Sequence, residues 1–130
     1  MKLLGVDWGE RRIGFAVSPD GQWVFPWKVM AVRGFAHALE TIQAVVVSER
    51  IEKVVLGLPL SLDGKDSAQT SRVREVAADL QHILTVPVDM VDERLTSTEA
   101  TRLRQEAGKH GAVDADAATL ILQSYLAQQA

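Results

Sequence analysis

The segment Lys53–Leu58 most constrains the fold of this 130-residue chain. After Lys53 it continues as Val-Val-Leu-Gly-Leu, with no polar residue. A strand with one face in water alternates apolar and polar residues, whereas a strand covered on both faces is a continuous apolar run. We therefore predict a central strand whose sheet carries helices on both faces.

Three other apolar segments precede this strand and are separated by turn residues. They cover Lys2–Asp7, Ile13–Ser18 and Trp23–Met30, with Gly9 in the first connection and Pro19-Asp20-Gly21 in the second. Tight connections join antiparallel neighbours. The first 30 residues therefore predict a three-stranded meander.

Helical spacing of apolar residues follows in the rest of the chain. A first helix is predicted over Phe35–Val46. A second begins at Asp66, where Asp66 and Gln69 resemble a capping box, a third begins with the capping box Thr96–Glu99, and a last one runs from about Asp114.

A fifth strand is predicted over Val86–Val91, and its Pro87 suits the edge of a sheet. The resulting order predicts a mixed five-stranded sheet, made of an antiparallel three-strand meander plus two parallel strands and flanked by helices on both faces. This is the element order of the ribonuclease H-like fold. The chain length predicts one such domain over residues 1–130.

Composition excludes several classes of protein. There is no cysteine, which excludes a disulfide framework, a thiol catalyst and a cysteine zinc site. No apolar stretch reaches the length of a membrane span and no signal-peptide pattern is present, so we expect a cytoplasmic protein without membrane contact. The formal net charge of −3 argues against a nonspecific polycation but leaves a nuclease open.

Asp7 is the first candidate site residue, because it ends an apolar strand. A buried, unpaired carboxylate costs several kcal/mol, about 3 or more, unless a cation or several donors meet it. A divalent metal held by clustered carboxylates would meet that need. Functional sites of open α/β sheets lie beyond the carboxyl ends of the parallel strands, where Leu58 and Asp92-Glu93 should join Asp7.

The other acidic residues compete for this site. Strand alternation sends Asp92 and Glu93 to opposite faces, but alternation alone leaves open which of them faces Asp7. In the last helix, Asp114 shares the stripe of Ala118, Ile121 and Tyr125, whereas Asp116 aligns with polar positions. We assign Asp114 to the site and Asp116 to the surface.

Each of these acids alone has an ordinary structural explanation. Asp7 could form a turn, Asp114 could be a helix N-cap, and Glu93 could be an exposed partner of Arg94. The predicted topology brings two strand ends and a helix start together, and that convergence favours a shared site.

Four ordered motifs resemble the YqgF/RuvX family, whose members are described as Holliday junction resolvases and as pre-16S rRNA nucleases. The resemblance covers essentially the whole chain. Its matching segments are Gly5-Val6-Asp7-Trp8-Gly9 with Arg12-Ile13-Gly14, Val55-Leu56-Gly57-Leu58-Pro59-Leu60 with Asp63-Gly64, Asp92-Glu93-Arg94-Leu95-Thr96-Ser97 with Ala100, and Asp114 followed by Ala117-Ala118 and Ile121–Leu126.

The resemblance implies a metal-dependent nuclease. It maps the family's acidic triad, which is both catalytic and metal-binding, onto Asp7, Glu93 and Asp114. In such a site two Mg²⁺ or Mn²⁺ ions would support hydrolysis of a phosphodiester bond in structured DNA or in the 5′ end of pre-16S rRNA. A homodimer is one possible assembly, because a four-way junction is cut symmetrically.

Basic residues on loops and helix starts near the predicted site are candidates for phosphate contacts, which position a nucleic acid without reading its sequence. They are Arg11, Arg12, Lys65, Arg72, Arg94 and Lys109.

Two other functions stay open. Asp7-x-Gly9 with Gly14 resembles the nucleotide-phosphate hairpin of actin-like ATPases and sugar kinases, but those proteins pair two such domains and this chain has one such hairpin. The chain could also be a non-catalytic binding module for RNA or transcription partners. The intact acidic residues argue against the second alternative.

Overall fold

A computed structural model of the protein describes residues 1–61, 63–93 and 113–129, with side chains described from Asp116 onward in the last range. In chain order the elements are β1 Leu3–Asp7, β2 Arg12–Ser18, β3 Phe25–Ala31, α1 Phe35–Ser48, β4 Lys53–Leu58, α2 Ala68–Ile83, β5 Val88–Asp92 and α3 Val113–Gln129. Within the described ranges, no helix is long and apolar enough to cross a membrane.

The five strands form one mixed sheet in the order β3-β2-β1-β4-β5. β2 pairs antiparallel with both β1 and β3, whereas β4 lies parallel between β1 and β5. The predicted meander and the two parallel strands are thus confirmed. β5 is an edge strand and starts just after Pro87. Proline suits this position because it has no amide hydrogen to donate to a neighbouring strand.

The two faces of the sheet carry different helices and two separate apolar clusters. One face packs on α1 and α2 through side chains such as Val6, Phe15 and Leu56. The other packs on α3 through side chains such as Val55, Ile121 and Leu122. The continuous apolar run of β4 is explained, because Val54 and Leu56 lie in the first cluster and Val55 lies in the second.

Helix α3 lies unusually close to the sheet where it crosses β1. A Cβ atom added at Gly5 would lie 2.7 Å from Leu122 Cγ and 2.9 Å from the carbonyl oxygen of Ala118. A side chain at this position would push the helix away. Gly5 therefore sets the height of α3 above β1.

The far end of α3 is held by a polar cluster. The Tyr125 hydroxyl donates to Asp89 Oδ2 at 2.6 Å, and Lys53 Nζ donates to the same hydroxyl at 2.9 Å. Lys53 is the first residue of β4, and Asp89 is the second residue of β5. The helix therefore runs antiparallel to these strands, and its first turn points to their carboxyl ends.

The capping box predicted at Asp66 and Gln69 is wrong by one residue. The structure caps α2 with Ser67, whose Oγ accepts from Thr70 N at 3.1 Å while Thr70 Oγ1 accepts from Ser67 N at 3.0 Å. The Thr70 hydroxyl also donates to the carbonyl of Pro59 at 2.5 Å, which ties the helix to the β4–α2 loop. Asp66 instead pairs with Arg74 at 2.8 Å.

The third predicted helix, which begins at Thr96–Glu99, lies outside the described residues. The last helix begins at Val113, one residue before the predicted start. Its stripe of Ala118, Ile121 and Tyr125 is buried as predicted.

We predict that Gly5→Ala destabilises the protein by about 1–3 kcal/mol, the usual cost of overpacking. The added methyl group meets Leu122 and backbone. Without such a clash, a Gly→Ala change would raise the free energy of unfolding slightly, because alanine lowers the conformational entropy of the unfolded chain. Urea unfolding measures the difference, and a midpoint equal to or above that of the wild-type protein would contradict the close packing of α3.

Candidate active site at the carboxyl edge of the sheet

Asp7 lies on the α3 side of the sheet, at the end of its central strand. Leu3 of the same strand faces α3, and strand alternation puts Gly5 and Asp7 on that face as well. Val6 is in register with Leu56 of β4. The next residues along the two parallel strands are Asp7 and Gly57.

Glu93 reaches Asp7 across Gly57. Its backbone N–H donates to the carbonyl of Leu58 at 3.0 Å, which fixes the chain just after β5. A Cβ atom added at Gly57 would lie 2.5 Å from Glu93 Oε1 and 2.5 Å from Ile121 Cδ1. The carboxyl group of Glu93 therefore lies directly over Gly57, and it is hydrogen-bonded to the side chain of Asp7.

The structure also distinguishes Glu93 from Asp92. Asp92 is in register with Leu58, and both extend the rows that face α1 and α2. Val91 packs with Ile121 on the opposite face, and Glu93 continues that row. Asp92 therefore points away from Asp7.

Burial raises the pKa of Glu93 above its usual range. The hydrogen bond with Asp7 lowers this pKa, and the charge of Asp92 raises it again. Two carboxylates this close repel each other unless a proton or a cation lies between them. The hydrogen bond between the two groups requires a shared proton. A divalent cation that replaced this proton would find two carboxylate ligands side by side.

Asp114 lies in the first turn of α3. Its backbone is one helical turn before Ala118, whose carbonyl oxygen adjoins Gly5 two residues before Asp7. The side chain of Asp114 lies outside the described residues. Among the side chains that the structure describes, no three Asp, Glu or His residues form a metal-binding group.

The donor chemistry of the described pair fits Mg²⁺ or Mn²⁺. Both ions prefer oxygen ligands, and they are commonly bound through a few carboxylates with water completing the shell. Asp7 and Glu93 supply two such groups, and a third from the first turn of α3 would complete the predicted set.

Asp116, assigned to the surface from sequence, is half-buried.

The predicted phosphate-binding cations differ in their surroundings. Arg11, Arg12 and Lys65 are exposed, in the β1–β2 connection, at the start of β2 and in the β4–α2 loop. Arg94 and Lys109 lie outside the described residues. Arg72 is half-buried.

Arg72 is held on three sides. Its guanidinium lies 4.3 Å from the centroid of the Phe35 ring, 3.0 Å from Glu75 Oε2 and 3.8 Å from Glu10 Oε1. Glu10 lies in the turn that follows Asp7. Arg72 therefore connects α2 to the turn at the carboxyl edge.

Gly57 is a site residue that sequence reasoning missed. The available signal was a glycine inside an otherwise continuous apolar strand, which often marks the close approach of another group. Here that group is the carboxyl of Glu93.

A protein-family model described as "RuvX: Holliday junction resolvase" matches residues 1–128 of the chain. The chain belongs to the RuvX family. Two curated relatives support the assignment, and both are named "Putative pre-16S rRNA nuclease". The one from Maridesulfovibrio salexigens is 38% identical and covers 98% of this chain and 99% of its own. The one from Koribacter versatilis is 40% identical, with coverages of 96% and 86%.

Solved structures confirm the ribonuclease H-like fold predicted for this RuvX-family chain. RuvC of Thermus thermophilus superposes with a TM-score of 0.64 at 14% identity and covers 99% of this chain and 96% of its own. The fowlpox virus Holliday junction resolvase superposes with a TM-score of 0.60 at 10% identity, with coverages of 98% and 99%. At these identities the likeness shows the fold alone.

We predict that Asp7→Asn leaves the free energy of unfolding unchanged within about 0.5 kcal/mol, or raises it, in the presence of a chelator. The substitution removes repulsion from Glu93 and keeps a hydrogen-bonding side chain. Asp89→Asn is the matched contrast and should lower stability, because Asp89 accepts from Tyr125 and pairs with Lys53. Thermal unfolding compares the two, and a larger loss in Asp7→Asn would mean that the carboxylate pair holds the fold together.

Proposed function

We propose that the protein is a divalent-metal-dependent nuclease that hydrolyses phosphodiester bonds in structured nucleic acid. Asp7, Glu93 and Asp114 would hold Mg²⁺ or Mn²⁺ in a two-ion site. The observation that carries the proposal is that the Glu93 carboxyl group lies over Gly57, beside Asp7 on the neighbouring strand and hydrogen-bonded to it, at the carboxyl edge of the sheet. Membership in the RuvX family supports it.

When bound, a divalent ion would lower the pKa of an attacking water and neutralise charge on the leaving oxygen. Asp7 would be the central ligand, because its strand lies between β2 and β4 in the middle of the sheet. Glu93 is held by its backbone hydrogen bond to Leu58 and by the close contact over Gly57. Both carboxyl groups are therefore positioned before substrate binds, which lowers the cost of reaching the reactive geometry.

Local cations would position the substrate backbone. Lys65 and the Arg11-Arg12 pair are exposed on loops near the carboxyl edge, and Arg72 reaches the turn after Asp7. We assign the same role to Arg94, which follows Glu93 in the sequence, and to Lys109. Such contacts bind phosphates in any base sequence, so recognition would depend on the shape of the substrate.

The relatives' names support two substrate types. The curated relatives are named for pre-16S rRNA, and the family model is named for Holliday junctions. Thermus thermophilus RuvC, a structural neighbour, was solved in complex with a Holliday junction substrate. Both substrates are folded or branched, and we propose action on this shared class in the cytoplasm. A homodimer would suit a symmetric junction, because each subunit would cut one strand.

Nucleotide-phosphate binding of the actin-like type is the weaker alternative. A hexokinase of Thermus thermophilus superposes with a TM-score of 0.51 at 21% identity, but this chain covers only 38% of it. The carboxylate pair at Asp7 and Glu93 favours a metal site for hydrolysis. A direct nucleotide-binding titration separates the two functions.

We predict Mg²⁺- or Mn²⁺-dependent cleavage in a panel of four-way junction, flap, single-stranded DNA, linear duplex and structured RNA. Branched or folded substrates should be cut faster than linear duplex of the same length. Asp7→Asn should reduce the rate by at least about 100-fold, because it removes the central metal ligand.

The last helix supplies a matched pair for the same panel. Asp114→Asn should be severely impaired, whereas Asp116→Asn, two residues away, should cleave at a rate close to that of the wild-type protein. A larger defect in Asp116→Asn would overturn the assignment of Asp114. Wild-type rates in Asp7→Asn would overturn the proposed function.

A further inference from the structure

A groove of about 390 Å³ opens beside the carboxyl edge, between the β1–β2 turn and the first turns of α2. It lies on the side of the sheet that packs against α1 and α2, since Trp8 belongs to that apolar cluster. The lining residues are Trp8, Gly9, Glu10, Ala68, Gln69 and Arg72.

Two flat side chains of the groove are held by one aromatic ring. The rings of Trp8 and Phe35 meet edge to face, with centroids 5.8 Å apart and planes at 67°. The Arg72 guanidinium lies over the same Phe35 ring at 4.3 Å. Trp8 is only 5% exposed and closes the base of the groove, whereas the Arg72 side chain is 40% exposed. The planar Arg72 cation, fixed in this way with the small Ala68 beside it, suits a flat aromatic ligand. Nucleobases that have left a helix bind to such surfaces in many proteins.

The polar residues of the groove fit a nucleotide as well. Gln69 is exposed, and its amide makes no hydrogen bond within the part of the chain that the structure describes. A free amide offers one acceptor and two donor hydrogens, the pattern that pairs with a base edge. Arg72 meets Glu10 at 3.8 Å and Glu75 at 3.0 Å, and the Glu10 and Glu75 side chains are 74% and 60% exposed. Exposed ion pairs of this kind are weak, so a phosphate can compete with both carboxylates for the guanidinium.

The groove is close to the carboxylate pair along the chain. Trp8 follows Asp7 directly, and consecutive Cα atoms are about 3.8 Å apart. Their side chains point to opposite faces of the sheet. A nucleic acid strand that passes over this edge would therefore place a phosphate at Asp7 and a neighbouring base in the groove.

We propose that this groove binds the base of an unpaired nucleotide next to the phosphate that is cut. The inference rests on the proposed nuclease function and adds one requirement to its substrate class, which is an unpaired nucleotide beside the cut. A base stacked within a duplex cannot enter the groove. The protein should therefore prefer branched or folded substrates with an unpaired nucleotide beside the cut.

The test uses the substrate that the wild-type protein cuts best, with its cleavage position mapped. Two further versions carry an abasic residue immediately 5′ or 3′ of the cut. One of them should lower kcat/KM about tenfold, in keeping with the contribution of a single stacked base. The other abasic substrate is the control, because the base that it lacks is not bound in the groove.

Groove filling provides the matched variants. Ala68→Phe places a ring in the groove, whereas Ala78→Phe places the same ring on an exposed position of the same helix, away from it. Ala68→Phe should cut the intact and abasic substrates at the same low rate, and Ala78→Phe should keep the tenfold difference.

Gln69→Ala should reduce discrimination between bases at that position, whereas Gln22→Ala, in the turn before β3, should not.

The outcomes separate the inference from the function on which it rests. Equal kcat/KM of the wild-type protein on the intact and both abasic substrates would overturn the base site while leaving the nuclease intact. The same tenfold difference in Ala68→Phe and the wild-type protein would also overturn it, provided that thermal unfolding shows a folded variant. No cleavage of any substrate by the wild-type protein would overturn the nuclease function and the base site together.

Discussion

The architecture depends on two glycines on the α3 face of the sheet. Gly5 leaves no atom between β1 and the backbone of Ala118, and Gly57 leaves room for the carboxyl of Glu93 and the side chain of Ile121. A glycine in a strand is usually unfavourable, by roughly 0.5–1 kcal/mol relative to alanine. Here the missing side chains let a helix and a carboxylate lie close to neighbouring strands.

This close packing links the fold to the site. With α3 low over β1, its first turn reaches the carboxyl edge, where Asp7 ends the central strand. With Gly57 open, Glu93 reaches Asp7 from β5 across an intervening strand. The opposite end of α3 is anchored by Tyr125 on Lys53 and Asp89. The candidate metal ligands therefore come from three elements whose relative positions are set by packing away from the reacting groups.

Much of the fold could be predicted from local patterns. The apolar run after Lys53 indicated a strand covered on both faces, and Pro87 indicated an edge strand. Both predictions are confirmed, since β4 lies between two clusters and β5 ends the sheet. The position of Asp7 followed from the same reasoning, because the end of a parallel strand is visible in the sequence.

Other features depended on contacts between distant segments. Strand alternation alone could not choose between Asp92 and Glu93, because the answer required the register of β5 against β4. The N-cap of α2 is Ser67 and not the predicted Asp66, because Thr70 forms hydrogen bonds with both Ser67 and the distant carbonyl of Pro59. The groove joins residues about 60 positions apart, and no local pattern predicted it.

The central claim is that Asp7 and Glu93, brought together over Gly57, bind a divalent cation. Calorimetric titration of Mn²⁺ into the wild-type protein, Glu93→Gln and Asp92→Asn tests it directly, because Glu93 and Asp92 are neighbours that face opposite sides of the sheet. We expect the wild-type protein and Asp92→Asn to bind Mn²⁺ with similar affinity and Glu93→Gln to bind at least about tenfold more weakly. Unchanged affinity in Glu93→Gln, or a loss confined to Asp92→Asn, would contradict the account.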